Sequence, residues 1–572
     1  MSIITSRARW LLIGLFIASS LFYFWQLGRP DIITDESSYA TRAIGMVDFD
    51  FGIEQPTPLQ WVDQITWWMH LSFHDHPPLV FLIQHFSITL FGENPFAIRL
   101  PSVLAGLISI LLLYLIGRRL YSSEVGLISS ALFAFTANHI WISRIGLQES
   151  ILIALMLASV WAFLKGLPPA DHGRDSPPQR GGGGRPRWLL GAGIFLGFAF
   201  LAKYLALILI PIFLVILFFR RRDLVFSHYS LLSILCFLAV ASPVIIYNIE
   251  LYRNFGHFDF QFSQFFHQNV EEWQARPGQE SLGDTKNRII HYFPWLLDAN
   301  SPYFLFLALL GVVLMFWEHW KSRHRPRPVR GEASHGVHGE ILVAILFLLP
   351  FFVLVGPAYR FFTIFTPWLA IPAGYFMSSI KHRFGTRAWK FGVVLVIVLA
   401  VEFGYSINSL YLLESHGSRV WAYARAIRIE TQFYGYNELE QYFAGALNEK
   451  FPEIAITFDY PFARKILEVA VSDAQRDKKE FVPWGIVYAD GLNPSSVLWV
   501  FLRRITYQGW PINSLDAYKN GGGEAFFKNA GVKEIFVINA LEGDFANLGI
   551  RPIEIRNPQG EVTFRVYKLQ LQ

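Results

Sequence analysis

Two adjacent carboxylates, Asp35 and Glu36, stand just after the first long apolar run, in "DIITDESSYATR", with Ser37, Ser38 and Tyr39 beside them. Other polar groups stand at the ends of later apolar runs: His74, Asp75 and His76, Arg99, Arg144 with Glu149, Lys203 with Tyr204, and Tyr359 with Arg360. Ionisable groups at membrane depth are expensive and mark a functional site by default. Carboxylates, imidazoles and widely separated cations beside a lipid path suit one task. The cations bind a phosphate carried on a lipid, and a carboxylate takes a proton from an acceptor hydroxyl. That chemistry requires the groups to share one face of the membrane.

The elements that must position them are transmembrane helices. Of 572 residues, 53% are hydrophobic and 16% charged, against roughly 25% charged in soluble domains. Apolar runs of about 17 to 25 residues recur up to about residue 410, each long enough to cross about 30 Å of hydrocarbon. In lipid every backbone group must be satisfied within its own helix, so the chain reads as a polytopic α-helical membrane protein. The net charge of +5 calls for no nucleic acid, because Lys and Arg cluster between the spans. Cys236, the one cysteine, lies in an apolar run and says little about compartment.

Placing every strongly basic loop in the cytoplasm orders the spans. Residues 10–27 cross outward as a retained anchor, since Arg7 and Arg9 precede them and no small-residue cleavage site comes after. Residues 28–98 form an external connection whose apolar stretch 77–91 is short for a crossing and lies in the interface or re-enters. Spans then come at 99–116, 125–143 and 151–164. The run 188–219 divides near Lys203 into two, and further spans cover 229–247, 302–317, 341–355, 361–379 and 391–410. The expectation is about eleven transmembrane helices. The Gly-rich stretch 165–187 reads as a flexible cytoplasmic linker, 321–330 as a basic loop, and the aromatic-rich 248–300 as an external loop. Its Phe-rich part, 255–266, reads as a membrane-surface anchor rather than an acceptor groove.

From about residue 411 to 572 no run is long enough to span. Segments 453–460, 532–541 and 562–570 alternate as strands do, and 461–476 reads as a helix. This is the length of a soluble α/β domain, placed after an outward span. The division expected is a transmembrane module, 1–410, and an extracytoplasmic α/β domain, 411–572. All the polar groups of the opening then fall at outer span ends.

At this point the sequence resembles a known family. The pieces are "TDESSYATRA", then "HPPLVFLIQHFSITLFGENPFAIRLPSVLAGLISILLLYLIGRRLY", "GFAFLAKYLALILIPIFL" and "YRFFTIFTPWLAIPAGYF". In this order they look like the C-type (GT-C) glycosyltransferases of the protein O-mannosyltransferase and lipid A aminoarabinose transferase group, glycosyltransferase family 39-like. The resemblance implies a polyprenyl-phosphate-linked sugar as donor, a multi-pass enzyme of the cell membrane, and an active site outside the cytoplasm. The acceptor would be a glycan, a lipid or a protein. Asp35 would be the catalytic base, Glu36 would order the site or bind the acceptor, and Glu149 matches a second acidic position that is often Asp in the family. Lys203, Arg360, His76 and Arg99 would hold the donor phosphate. Tyr39, Asp75 and Tyr359 stand where they would contact acceptor or sugar. The aminoarabinose transferases have Lys where this chain has His76, so the chain leans towards the mannosyltransferase-like branch.

Each residue also has a plainer reading. Lys203 could snorkel to the interface, Arg99 could close a structural pair with Glu93 or an outer-face acid, and His76 could bond within a loop. Asn138 and His139 read as packed within the bundle. His74, Asp75 and His76 have metal-ligand types, but without a further ligand at defined spacing they make no clear divalent metal set. No cofactor is expected with certainty. Three other classes compete. A transporter would carry internal repeats and mid-span charge, and neither is visible here. An oligosaccharyltransferase or ligase would use a lipid-diphosphate donor. A membrane-anchored structural protein would not need Asp35.

Overall fold

The computed structural model describes residues 6–49, 55–168, 185–271, 273, 284–323, 338–384, 388–489, 492–539 and 550–571. Most of the expected linker 165–187, most of the basic loop 321–330 and Arg387 lie outside the described residues. The chain divides into two compact units. One comprises Met1–Leu27, Leu71–Ile83 and Arg99–Ile429, the other Gly28–His70, Gln84–Ile98 and Glu430–Gln572.

The first unit is helical. Among the described residues six helices are long and apolar enough to cross a membrane: Pro95–Leu120, Glu149–Gly166, His228–Phe255, Pro302–Lys321, His338–Val355 and Trp389–Leu410. A bent pair, Ser123–Phe135 and Ala137–Arg144, makes a seventh if it is taken as one span. The other expected spans are also helices, Ser6–Phe24, Trp188–Ala202, Leu209–Arg220 and Phe362–Phe384. All eleven expected segments are therefore helical, while six or seven meet the span criterion by length and composition.

The stretch 125–143, expected as one helix, is instead bent by 63° around Thr136. A break in apolar surroundings frees backbone carbonyls that must find new donors. The hydroxyl of Tyr23 donates to the Ala134 carbonyl at 2.9 Å and that of Ser406 to the Phe135 carbonyl at 2.6 Å. Trp188–Ala202 packs against both Glu149–Gly166 and His228–Phe255. Its Gly193 and Gly197 permit the close approach to the latter. A Cβ would sit 2.1 Å from the Ser233 carbonyl oxygen at Gly193 and 2.7 Å from the Val240 Cβ at Gly197. This is the small-residue spacing by which membrane helices pack.

The second unit carries the sheets. The strands are β1 (Lys450–Pro452), β2 (Glu480–Val482), β3 (Trp484–Tyr488), β4 (Ile512–Ser514), β5 (Glu534–Asn539), β6 (Ile553–Arg556) and β7 (Val562–Gln570). β1 and β2 form a parallel pair, and the larger sheet has the order β4-β3-β5-β7-β6. β3 runs parallel to β4 and β5, and β7 antiparallel to β5 and β6. In β5 Ile535, Phe536, Val537 and Ile538 are all buried, as in a central strand covered on both faces. The helix Pro461–Arg476 and strands β5 and β7 fall where expected. Residues 453–460 do not form the expected strand. Ile456 donates its N–H to the Gly509 carbonyl at 2.9 Å, a loop contact outside any ladder.

The N-terminal pieces of this unit are tied to its C-terminal part through backbone groups. The Asp31 carboxylate accepts the N–H groups of Tyr434 (2.6 Å), Gly435 (3.1 Å) and Asn437 (2.7 Å). The Asn437 amide donates to the carbonyls of Arg29 and Pro30, both at 2.8 Å. Glu93 pairs with Arg503, and Arg503 and Arg504 share Glu440 at 2.5 Å each.

Candidate active site

In the first unit three of the expected residues come together. Glu149 is the first residue of the helix Glu149–Gly166 and is fully buried. The Lys203 ammonium lies 2.5 Å from its Oε1. Arg360 acts electrostatically on the same carboxylate. Lys203 Nζ and Arg360 Cζ lie 4.9 and 5.2 Å from the Phe361 ring centroid, so two cations share one aromatic ring. Both cations act on the one buried carboxylate, and ammonium and guanidinium groups gathered in this way are suited to a phosphate. Tyr359, half-buried beside Arg360, packs on buried Trp141 with ring centroids 5.5 Å apart. Lys203 itself stands at the end of the helix Trp188–Ala202, as the split expected there requires.

Asp75 is gripped by its neighbours. His76 Nδ1 lies 2.9 Å from Asp75 Oδ2 and His74 Nδ1 3.7 Å from Oδ1. Arg99 is buried, and its Nη1 donates to the Leu27 carbonyl at 3.0 Å. That contact ties Arg99 to the turn that follows the first helix. Arg144 donates to the carbonyls of Phe22 and Tyr23, at 2.7 and 2.9 Å. Asn138 and His139 are packed within the bundle. The Asn138 Oδ1 accepts from Thr366 at 2.7 Å, and the His139 ring stacks on Phe133.

Asp35, Glu36 and Tyr39 belong to the second unit, on the helix Asp35–Gly45. The acidic pair occupies the first two helical positions, where the unpaired N–H groups favour negative charge. Glu36 and Tyr39 are buried, whereas Asp35 and Ser38, one turn apart, keep partial exposure. The residue before Asp35, Thr34, has φ 55° and ψ −146°. A β-branched residue at positive φ is strained, and such strain persists only where the surroundings over-determine it. Here they do: Thr34 Oγ1 donates to Glu430 at 3.1 Å, and its carbonyl accepts the Ser37 N–H at 3.2 Å and hydroxyl at 2.8 Å. Asp35 is thus the partly exposed member of the acidic pair at a rigidly placed helix start.

Comparison with known proteins bears on this arrangement. Residues 75–247 match the model of the family described as dolichyl-phosphate-mannose-protein mannosyltransferase. That span contains Asp75, His76, Arg99, Glu149 and Lys203. No curated protein sequence matches the chain closely enough to count as a relative. Among solved structures the chain is similar to ArnT from Cupriavidus metallidurans. It is 14% identical with a TM-score of 0.51, covering 99% of this chain and 98% of that one. The same protein bound to undecaprenyl phosphate aligns with a TM-score of 0.51 at 14% identity, over 97% of each chain. The oligosaccharyltransferase of Archaeoglobus fulgidus is 13% identical with a TM-score of 0.50, covering 98% of this chain and 74% of that one. The chain has the GT-C glycosyltransferase fold. The helices that carry Glu149 and Lys203 lie inside the matched span, while the acidic pair at 35–36 and Arg360 lie outside it.

Asp259 had no counterpart among the expected residues. Wholly buried, it accepts the Tyr204 hydroxyl at 2.6 Å and the Asn248 amide at 2.9 Å. The signal for it was a single Asp in the run Phe258-Asp259-Phe260, an acid where an aromatic surface anchor has no use for one.

Proposed function

We propose that this protein transfers a monosaccharide from a polyprenyl-phosphate-linked donor to a hydroxyl of a glycan, lipid or protein acceptor. The observation that carries the reading is the buried Glu149 carboxylate with Lys203 and Arg360 beside it. An ammonium and a guanidinium gathered at one buried acid are the groups that suit the charge of a lipid phosphate. The undecaprenyl phosphate bound to the structurally similar ArnT and the mannosyltransferase family match over 75–247 support the same donor class.

In this mechanism Asp35 is the general base. It takes the proton of the acceptor hydroxyl as the oxygen attacks the anomeric carbon. The new C–O bond forms as the bond from that carbon to the phosphate oxygen breaks, and a single displacement inverts the configuration. The leaving lipid phosphate gains charge in the transition state, and Lys203 and Arg360 stabilise it there. Glu149 fixes the Lys203 ammonium rather than moving a proton. His76, beside Asp75, and Tyr359, backed by Trp141, are the remaining groups for donor and sugar contacts, and Glu36 and Tyr39 shape the ground around the base. The chemistry takes place outside the cytoplasm, in the plasma membrane.

The test is a donor scan with the purified full-length protein in lipid nanodiscs. Polyprenyl-phosphate and polyprenyl-diphosphate sugars are offered, and mass gain on acceptors is read. Transfer from monophosphate donors that disappears in Asp35→Asn supports the reading. Transfer from diphosphate donors alone would replace it with an oligosaccharyltransferase-type reaction, and full activity of Asp35→Asn would remove the proposed base.

A further inference from the structure

The segment "FAFLAKYLALIL", residues 198–209, contains no glycine and no proline. Ala, Leu and Lys are strong helix formers, so local preference carries a helix straight through it. The helix nevertheless stops at Ala202, Lys203 is extended with φ −165° and ψ 138°, and a tighter turn, Tyr204–Ile208, comes next. Gly197 and Pro211 flank the segment, and contacts from other elements fix where within it the helix stops. Two acids from other elements do so here. Glu149 draws Lys203 to one side, at 2.5 Å. Asp259 draws the next residue, with the Tyr204 hydroxyl donating to Oδ2 at 2.6 Å. Lys203 and Tyr204, the two residues at the break, are thus each tied to an acid from another element.

Asp259 is itself locked. Its carboxylate accepts the Asn248 amide at 2.9 Å and the Phe262 N–H at 2.9 Å, and its own N–H donates to Asn248 Oδ1 at 2.8 Å. Phe200 and Phe262 pack on the Tyr204 ring at 4.9 and 4.8 Å between centroids. The adjacent Phe260 N–H donates to the His74 carbonyl at 2.7 Å, which ties the same loop to the segment carrying His76. Phe265 and Phe266, five and six residues further on, are exposed. Only the far end of the aromatic loop is therefore disposed as a membrane anchor.

We propose that Asp259 is a positioning residue for sugar transfer. Through Tyr204 it imposes the break that presents the Lys203 ammonium to the donor phosphate. The inference rests on the glycosyl-transfer reading above and names the residue outside the charged cluster that sets its geometry.

The experiment uses the full-length protein in nanodiscs and undecaprenyl phosphate as the binding probe, alongside donor kinetics. Tyr204→Phe and Asp259→Asn should each weaken binding and raise KM for the donor about 5- to 10-fold, and lower kcat as well, because a displaced Lys203 also stabilises less of the charge that grows on the leaving phosphate. The double variant should be no worse than either single one, because both break the same contact. In a Lys203→Met background Tyr204→Phe should have no further effect, which a merely structural role would not produce. Tyr204→Phe keeps the packed ring, so the test survives if Asp259→Asn fails to fold. Binding within twofold of wild type in Tyr204→Phe, or an undiminished effect without Lys203, overturns the inference. Wild-type protein that binds the lipid but transfers no sugar overturns the glycosyl-transfer reading and leaves the positioning of Lys203 standing. Wild-type protein that does not bind the lipid overturns both.

Discussion

At the scale of single residues the site is a balance of buried charges, and that makes its variants asymmetric. Removing the Lys203 ammonium leaves the fully buried Glu149 carboxylate with less compensation, and breaking a buried pair from one side costs about 3–5 kcal/mol. Lys203→Met should therefore lower the thermal midpoint in detergent, and Lys203→Met with Glu149→Gln should recover much of the loss. Glu149→Gln alone should keep the fold but weaken donor affinity about tenfold, since a neutral amide no longer holds the ammonium in place. A double variant destabilised by the sum of the two single changes would show that the pair contributes no coupling. Asp259 gives a pH test. Burial, with Asp75 adding in the same direction, pushes its carboxyl above the ordinary aspartate range, against the opposing bonds from Phe262, Tyr204 and Asn248. The folded state then holds its proton more tightly than the unfolded state does. Its contribution is full below the unfolded value of about 4 and declines as pH rises through the folded value. Melting curves between pH 4 and 8 should show wild type losing stability relative to Asp259→Asn as pH rises, and the opposite slope would contradict the raised value.

Helices and turns decide where those charges can stand, and here composition was readable while conformation was less so. Every expected span is helical because apolar runs leave the backbone no other way to satisfy itself. The bend at Thr136 was not visible, since nothing in "ALFAFTANHIW" forbids a straight helix. The donors that satisfy the carbonyls it frees, Tyr23 and Ser406, are far away along the chain. Asp35 was expected in a loop, yet it opens a helix, because Thr34 takes a backbone conformation that its own side chain disfavours. The division near Lys203 was visible only as excess apolar length, and its agents, Glu149 and Asp259, were not. The packing of Trp188–Ala202 on His228–Phe255 was in principle legible as two glycines four residues apart. Gly197→Leu should force the helices apart, because even a Cβ there would meet Val240 at 2.7 Å. Overpacking of this kind costs typically about 1–3 kcal/mol. The expected result is a lower melting midpoint and weaker donor binding, while Gly14→Leu, which meets nothing within 4 Å, serves as the neutral control.

Across the whole molecule, order along the chain and membership of a compact unit differ. Residues 28–70 and 84–98, which carry the acidic pair, share a unit with 430–572. A composition profile sees the change of character near residue 411 but cannot see which earlier segments fold with the C-terminal one. That information lies in pairings hundreds of residues apart. The clasp at Asp31 is the clearest of them, because one carboxylate accepts three backbone N–H groups of 434–437. The Tyr507 hydroxyl, donating to the Thr41 carbonyl at 2.9 Å, fastens the same helix that begins with Asp35. The C-terminal segment therefore acts as a mount for the helix that carries the proposed base, and not as an appendage. Asp31→Ala strips partners from three N–H groups, each costing roughly 1–3 kcal/mol when left buried. It should expose the 28–49 stretch to trypsin at Arg29 and Arg42 and reduce sugar transfer at least tenfold, while undecaprenyl phosphate binding stays within twofold, since Lys203 and Arg360 belong to the other unit. Asp31→Asn keeps one acceptor oxygen and should fall between the two. If Asp31→Ala cuts lipid binding as deeply as transfer, the clasp supports the whole protein rather than the base, and the mount reading fails.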